Sequence, residues 1–324
     1  MIRRKIQRTG IATYTVSLPK TWVTRNEVQP GDSIFITEEA DQSLLLGLEK
    51  STETIKEETL DLSKYPQEAE LIRKFISLYL NGVHKVTFNS SQGISKDVRK
   101  QIFDQTKKVI GFEIVEETRE KIVLQDFFSA TSFSLHNVIR RAFQLSRLMI
   151  EESLKLLQKE VEIMDSINLW EEEVNRIYLL ARRQINFALH NSPIMNKLNI
   201  NVDDCQDFII IIGAIEKMAD SFVRIAKNCL NVKKMSKEVT ALVVEQFTTI
   251  LDVYDLALQC YFKRDFNLSN QVITRCEQLG EDIINLEKYK LLEEDKTTLY
   301  LILSTLKSKT NLINEIAEIG LDRS

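Results

Sequence analysis

Hydrophobic and polar residues change rhythm along this chain, and each rhythm predicts a different kind of element. Over residues 1–50 the beat is two. Ile2, Ile6, Tyr14, Val16 and Leu18 fall on one side with polar residues between them, the alternation of a strand. Pro19–Asn26 reads as one short helical turn, because proline suits a helix start, where its missing N–H is not needed. Val28–Asp32 contains Pro30 and Gly31 and reads as a turn. Ser33–Thr37 and Ser43–Leu46 flank a polar loop at Ala40–Gln42 and predict a hairpin.

Between residues 51 and 126 the two periods mix. Glu58–Leu62 and Val83–Asn89 alternate like strands, and Phe112–Val115 with Lys121–Leu124 predicts a second hairpin. Pro66–Leu80 places Ala69, Ile72, Phe75, Ile76 and Tyr79 at helical spacing and stops at Asn81 and Gly82. Ser95–Ile110 predicts another helix, with Ser95 as its N-cap and Gly111 beyond its end. The result is a small α/β unit, expected to act as a spacer or a dimer contact.

From residue 127 onward the period is 3.6. Leu135, Val138, Ile139, Ala142, Phe143, Met149, Ile150 and Leu154 form one stripe. Breaks at 159–162, 191–203, 231–236, 265–267 and 292–296 cut the segment into six long helices, the pattern of two antiparallel three-helix bundles at about 127–232 and 233–324. The expected organisation is therefore 1–50, 51–126 and 127–324, a multi-domain α+β chain ending in an all-α region.

Charge changes this picture at one end. Residues 1–26 hold Arg3, Arg4, Lys5, Arg8, Lys20 and Arg25 and no acidic residue, whereas the whole chain carries −4. Such segregation points to a polyanion met by the first segment alone. A sheet of about 50 residues buries little core by itself, so a partner chain is expected there too. Cys205, Cys229, Cys260 and Cys276 sit in apolar helical patterns with no C-x-x-C pair, which predicts reduced, buried thiols in a cytoplasmic protein. His84, His136 and His190 are scattered. No apolar h-region follows the first basic residues, and the longest apolar run, Phe208–Ile215, is far shorter than a membrane span. Neither phosphate-loop nor dinucleotide-binding glycine patterns occur, nor a nucleophile elbow or a recognisable Ser–His or Cys–His arrangement, so no enzymatic activity is expected. The candidate chemistry lies instead in Ile215–Ala226. Glu216 and Asp220 stand four apart on one helical face, a spacing at which one cation can bridge two carboxylates and at which they repel without one.

Two stretches resemble known families. RKIQRTGIATYTVSLPKTWV…VQPGDSIFITEEADQSLLL is similar to the AbrB/SpoVT swapped-hairpin domain, with a basic first strand, an L-P-K element, a short helix and a G-D turn. The resemblance implies an interleaved homodimer that binds double-stranded DNA. Arg3, Arg4, Lys5 and Arg8 would face the duplex, and Lys20 and Arg25 would lie near phosphates. The E-K-x-x-D-x-x-x-x-I-A run around Glu216 resembles the carboxylate motif of the PhoU family, and Glu171–Ile177 and Asn314–Ile319 resemble further parts of it. That likeness implies two pseudo-repeated three-helix bundles, a divalent or iron-type metal on Glu171, Glu216 and Asp220, and negative regulation of phosphate uptake. Asn175 stands where a second carboxylate is expected, Glu277 and Glu281 keep a pair in the second repeat, and Lys307 and Asn311 replace its last motif. The combination looks like an archaeal phosphate-uptake regulator that binds DNA. The alternative is an adaptor that does not bind DNA and docks on a phosphate transporter component.

Overall fold

The computed structural model describes residues 2–38, 42–48, 55–128, 131–157, 163–232, 237–287 and 296–324. Contacts divide the chain into two compact units, 1–55 and 56–324.

The first unit is built from two antiparallel hairpins and one short helix. Strand β1 (Gln7–Thr9) pairs with β2 (Thr13–Thr15), with Arg8 opposite Tyr14. Helix α1 (Lys20–Arg25) follows Pro19, whose carbonyl accepts the N–H groups of Trp22 and Val23. The turn before the second hairpin closes with the Gln29 N–H donating to an Asp32 carboxylate oxygen at 2.7 Å and the Asp32 N–H to the Gln29 carbonyl at 3.1 Å. Then β3 (Ile34–Glu38) pairs with β4 (Leu44–Leu48). The expected loop between them lies largely outside the described residues. One expectation needs correction: Arg3, Arg4 and Lys5 precede β1 instead of lying in it, and only Arg8 is a strand residue. Among the described residues β1 has no second neighbour to extend it, and β2 offers only three partners. None of the unit's described residues is buried, and Ile2, Ile6, Ile11, Tyr14, Phe35 and Ile36 stand exposed.

The second unit begins with a four-stranded sheet. Its strands are β5 (Glu57–Asp61), β6 (Lys85–Asn89), β7 (Phe112–Glu117) and β8 (Lys121–Asp126), in the order β5-β6-β8-β7. Helix α2 (Glu68–Leu80) makes the crossover between the parallel pair β5 and β6, as a parallel connection requires. Helix α3 (Lys96–Thr106) starts where the Ser95 hydroxyl accepts the Val98 N–H, and it ends earlier than the period suggested. Leu60, Phe75, Tyr79, Val86, Phe88, Phe112, Ile122 and Leu124 fill the core, with Phe75 set against both Phe88 and Phe112.

Among the described residues seven helices follow: α4 (Leu135–Leu156), α5 (Ile163–His190), α6 (Ser192–Leu198), α7 (Val202–Asn231), α8 (Lys237–Lys263), α9 (Phe266–Glu287) and α10 (Lys296–Asp322). Helices α4, α5 and α7 pack as one trio and α8, α9 and α10 as another. The trios join through α7 on α10 and α4 on α8, around one continuous apolar core. The short α6 falls where the sequence pattern suggested only a break. Asn191 caps it, Pro193 sits in its first turn, where proline is tolerated, and Asn199 in the left-handed region ends it. Three of the other expected breaks fall wholly or partly outside the described residues. The four cysteines are buried and unpaired, and burial pushes the Cys205 thiol up to about 11 and those of Cys229 and Cys276 to about 12.

The sheet and the helices have separate cores but are joined by a buried ion pair. Arg183 on α5 is 1% exposed, and its Nη2 donates to an Asp126 carboxylate oxygen at 2.5 Å, that side chain being 2% exposed. The same guanidinium donates to the Tyr79 and Val83 carbonyls and lies over the rings of Tyr79, Phe112 and Phe187. Asn186, one turn along, donates to the Leu80 carbonyl at 2.8 Å. Two glycines make this approach possible. Gly82 (φ +75°) has the Phe187 ring where a Cβ would be, and Gly111 (φ +103°) has Phe128 and the Asp126 carboxylate there. Replacing Arg183 with Met leaves Asp126 buried without its partner and is expected to cost about 3–5 kcal/mol. The double variant Arg183→Met/Asp126→Asn should recover much of that loss. Denaturant unfolding of the single and double variants measures it, and a single variant as stable as the parent would exclude the bridge from holding the sheet in place.

A candidate nucleic-acid interface and an acidic helical face

The basic segment has few acceptors of its own. Arg3, Arg4, Lys5, Arg8, Lys20 and Arg25 are all exposed, and none forms an ion pair with a described residue. Arg8 donates to the carbonyl of Ile11 in the turn between β1 and β2. Lys20 opens α1 and Arg25 closes it, so they stand at opposite ends of a six-residue helix. Exposed cations without ion-pair partners among the described residues are free to displace counterions from a phosphate backbone.

The acidic face lies on α5 and α7. Glu216 and Asp220 stand one turn apart on α7, Glu216 half-buried and Asp220 exposed. Glu171 on α5 is half-buried and accepts from the Asn175 amide at 2.6 Å. Burial raises the Glu171 carboxyl above its ordinary range; the Asn175 hydrogen bond opposes this, and the Asp220 charge adds to it. Glu216 is raised first by burial, then by Asp220, with Glu171 contributing. The structure therefore brings the three expected carboxylates within electrostatic reach of one another. It does not make them a ligand set: among the described residues no group of three or more His, Cys, Asp or Glu could hold a metal ion.

Two cations that the motif reading missed also belong to this region. Lys108, just after α3, partly offsets the Glu171 shift. Lys309 on α10 is buried, and its ammonium is pushed below the ordinary lysine range by burial and by Arg224 and Lys217, with Asp220 acting in the opposite sense. Lys309 has a signal in the sequence. Ile302, Leu306, Ile313 and Ile316 are core residues of α10, and Lys309 occupies the position between them at the same spacing. A lysine at a core position is the unusual feature there.

Residues 7–55 match the model for antidote-toxin recognition MazE, a bacterial antitoxin, and residues 139–229 match the PhoU domain. The chain carries a MazE/AbrB-type domain and a PhoU domain. No curated protein matches it. The PhoU match spans most of α4, α5, α6 and α7, so it contains Glu171, Glu216 and Asp220; helices α8 to α10, which the sequence resemblance also included, lie beyond it. Arg8, Lys20 and Arg25 fall within the MazE/AbrB-type match, and Arg3, Arg4 and Lys5 just before it. Among the described residues no helix is long and apolar enough to cross a membrane.

The sign of the Glu216 effect gives a direct test of the acidic face of the PhoU domain. A carboxyl whose folded pKa is raised contributes stability below its ordinary value of 4.5 and loses it as pH rises through the raised one. Glu216→Gln removes that loss. The variant should melt higher than the parent at pH 7, in line with relief of a like-charge pair of about 0.5 kcal/mol. The gap should close as pH falls toward the ordinary carboxylate range. Thermal melts across pH measure this, and a variant no more stable than the parent at pH 7 would contradict the mutual repulsion.

Proposed function

We propose that this protein is a DNA-binding regulator of phosphate uptake, in which the MazE/AbrB-type domain contacts double-stranded DNA as a homodimer and the PhoU domain receives the signal. The observation that carries this reading is the run of exposed cations without acidic neighbours over residues 1–26, in a chain that is acidic overall. Duplex DNA is a polyanion that such a surface fits, with phosphate contacts supplying affinity and arginine contacts to base edges supplying choice of sequence. The homodimer is supported by the first unit itself. Its described residues bury nothing in one chain, and two-stranded hairpins are marginal alone. A second copy would cover Ile6, Tyr14, Phe35 and Ile36. Both domains are of regulatory types, and no catalytic step enters the reading.

No step runs through a metal either. A divalent or iron-type ion on Glu171, Glu216 and Asp220 is a separate proposal, which requires side chains to turn toward one another. Metal analysis of the purified protein against Glu216→Ala/Asp220→Ala decides it, equal content in both excluding that site. The adaptor reading, in which the chain docks on a phosphate transporter component without DNA, makes the opposite prediction for the basic run. On the DNA reading, Arg3→Ala/Arg4→Ala/Arg8→Ala should weaken duplex binding and lower the slope of log K against log salt by about 2 to 3. Fluorescence anisotropy at several salt concentrations reads both. Unchanged affinity and slope in the triple variant would favour the adaptor.

A further inference from the structure

A groove of about 620 Å3 runs between α9 and α10, outside the PhoU match and apart from the acidic face on α5 and α7. Its volume lies in the range of small-ligand pockets, about 300–1,000 Å3. Glu277 and Glu281 line it from α9, one helical turn apart, and Lys307, Asn311 and Asn314 line it from α10. At Gly280 an added Cβ would meet only the Thr310 hydroxyl, at 3.9 Å, so no neighbouring atom closes the groove at this point.

The charges in this groove do not satisfy one another. Glu277, Glu281 and Lys307 form no ion pair with one another or with any other described residue, although they line one cavity. The Asn314 amide nitrogen donates to Glu318 at 2.6 Å, while its Oδ1 is buried and has no partner among the described residues. Opposite charges across a cavity, too far apart to pair, fit a guest carrying the complementary charges. Lys307 opposes a bare cation, and two carboxylates oppose a phosphate or any other simple anion. What remains is a molecule with both signs, and the two carboxylates against one ammonium favour an excess of positive charge.

We propose that the groove between α9 and α10 binds a small zwitterion of net positive charge, of the basic amino acid class, with its amino groups on Glu277 and Glu281 and its carboxylate on Lys307. Titration calorimetry of the full chain with L-lysine, L-arginine and L-ornithine tests this, with L-glutamate, inorganic phosphate and magnesium as comparison ligands. At least one basic amino acid should bind, and more tightly than glutamate or phosphate. Glu277→Gln/Glu281→Gln and Lys307→Ala should each weaken it by about tenfold or more. These side chains are exposed or half-buried, so both variants should melt with the parent in the absence of ligand; if either does not, Glu281→Gln alone should still weaken binding. Absence of binding by any basic amino acid, binding unchanged in the variants, equal binding of glutamate or phosphate, or a carboxylate-dependent magnesium site without amino acid binding would each overturn the proposal.

Discussion

The Arg183–Asp126 ion pair is the contact that the second unit is built around. Both side chains are almost wholly removed from water, a position that costs several kcal/mol per ion unless each charge is paired and its remaining hydrogen-bonding groups are used. Here the two terminal nitrogens of the guanidinium serve one carboxylate and two backbone carbonyls, the group lies over three aromatic rings, and its Nε has no partner among the described residues; Asp126 also accepts the Phe128 N–H. The geometry admits little variation, since Gly82 and Gly111 sit where any side chain would collide with Phe187, Phe128 or Asp126. A sheet that might have hung on a tether is instead fixed to one helix. That helix, α5, also carries Glu171 and packs along α7, which carries Glu216 and Asp220. Glu171 and the anchoring point of the sheet thus share one helix, and the other two carboxylates lie on the helix packed against it.

The first unit follows a different rule. It has no buried ion pair and no buried residue among those described; what it has is exposed apolar surface and exposed positive charge. Both are incomplete in one chain, and each asks for a different partner. On the proposed reading a second copy covers the apolar surface and a polyanion meets the cations. The acidic balance of the remainder would oppose DNA approaching anywhere else, so charge placement limits which part of the chain can meet a duplex.

Much of this was legible because it depends on local rules. Period two over residues 1–50 and period 3.6 after 127 gave the element types, and Ser95 and Asn81 with Gly82 marked helix ends through capping and positive φ, whereas α3 stops at Thr106, short of Gly111. Glu216 and Asp220 were visible because they are four apart on one helix. What could not be read was made by distant residues meeting. Nothing in the sequence near Arg183 announces Asp126, which lies 57 positions away, or the Tyr79 and Val83 carbonyls about 100 away. The α6 helix falls inside the 191–203 break because seven residues are too few to show a 3.6 period, and Pro193 occupies its first turn. Lys309 was missed because the apolar stripe of α10 draws attention to its isoleucines and leucines. The basic run kept its exposure but not its assignment to a strand, because β1 is only three residues long in a single chain.

The proposed role rests on positive side chains at the head of the chain reaching a duplex inside the cell. Genome-wide mapping of the protein's DNA occupancy in high and low phosphate measures this most directly. The account predicts discrete peaks near phosphate-uptake genes, with occupancy that changes between the two conditions. A flat profile in both, no higher than that of an unrelated acidic protein, would contradict it.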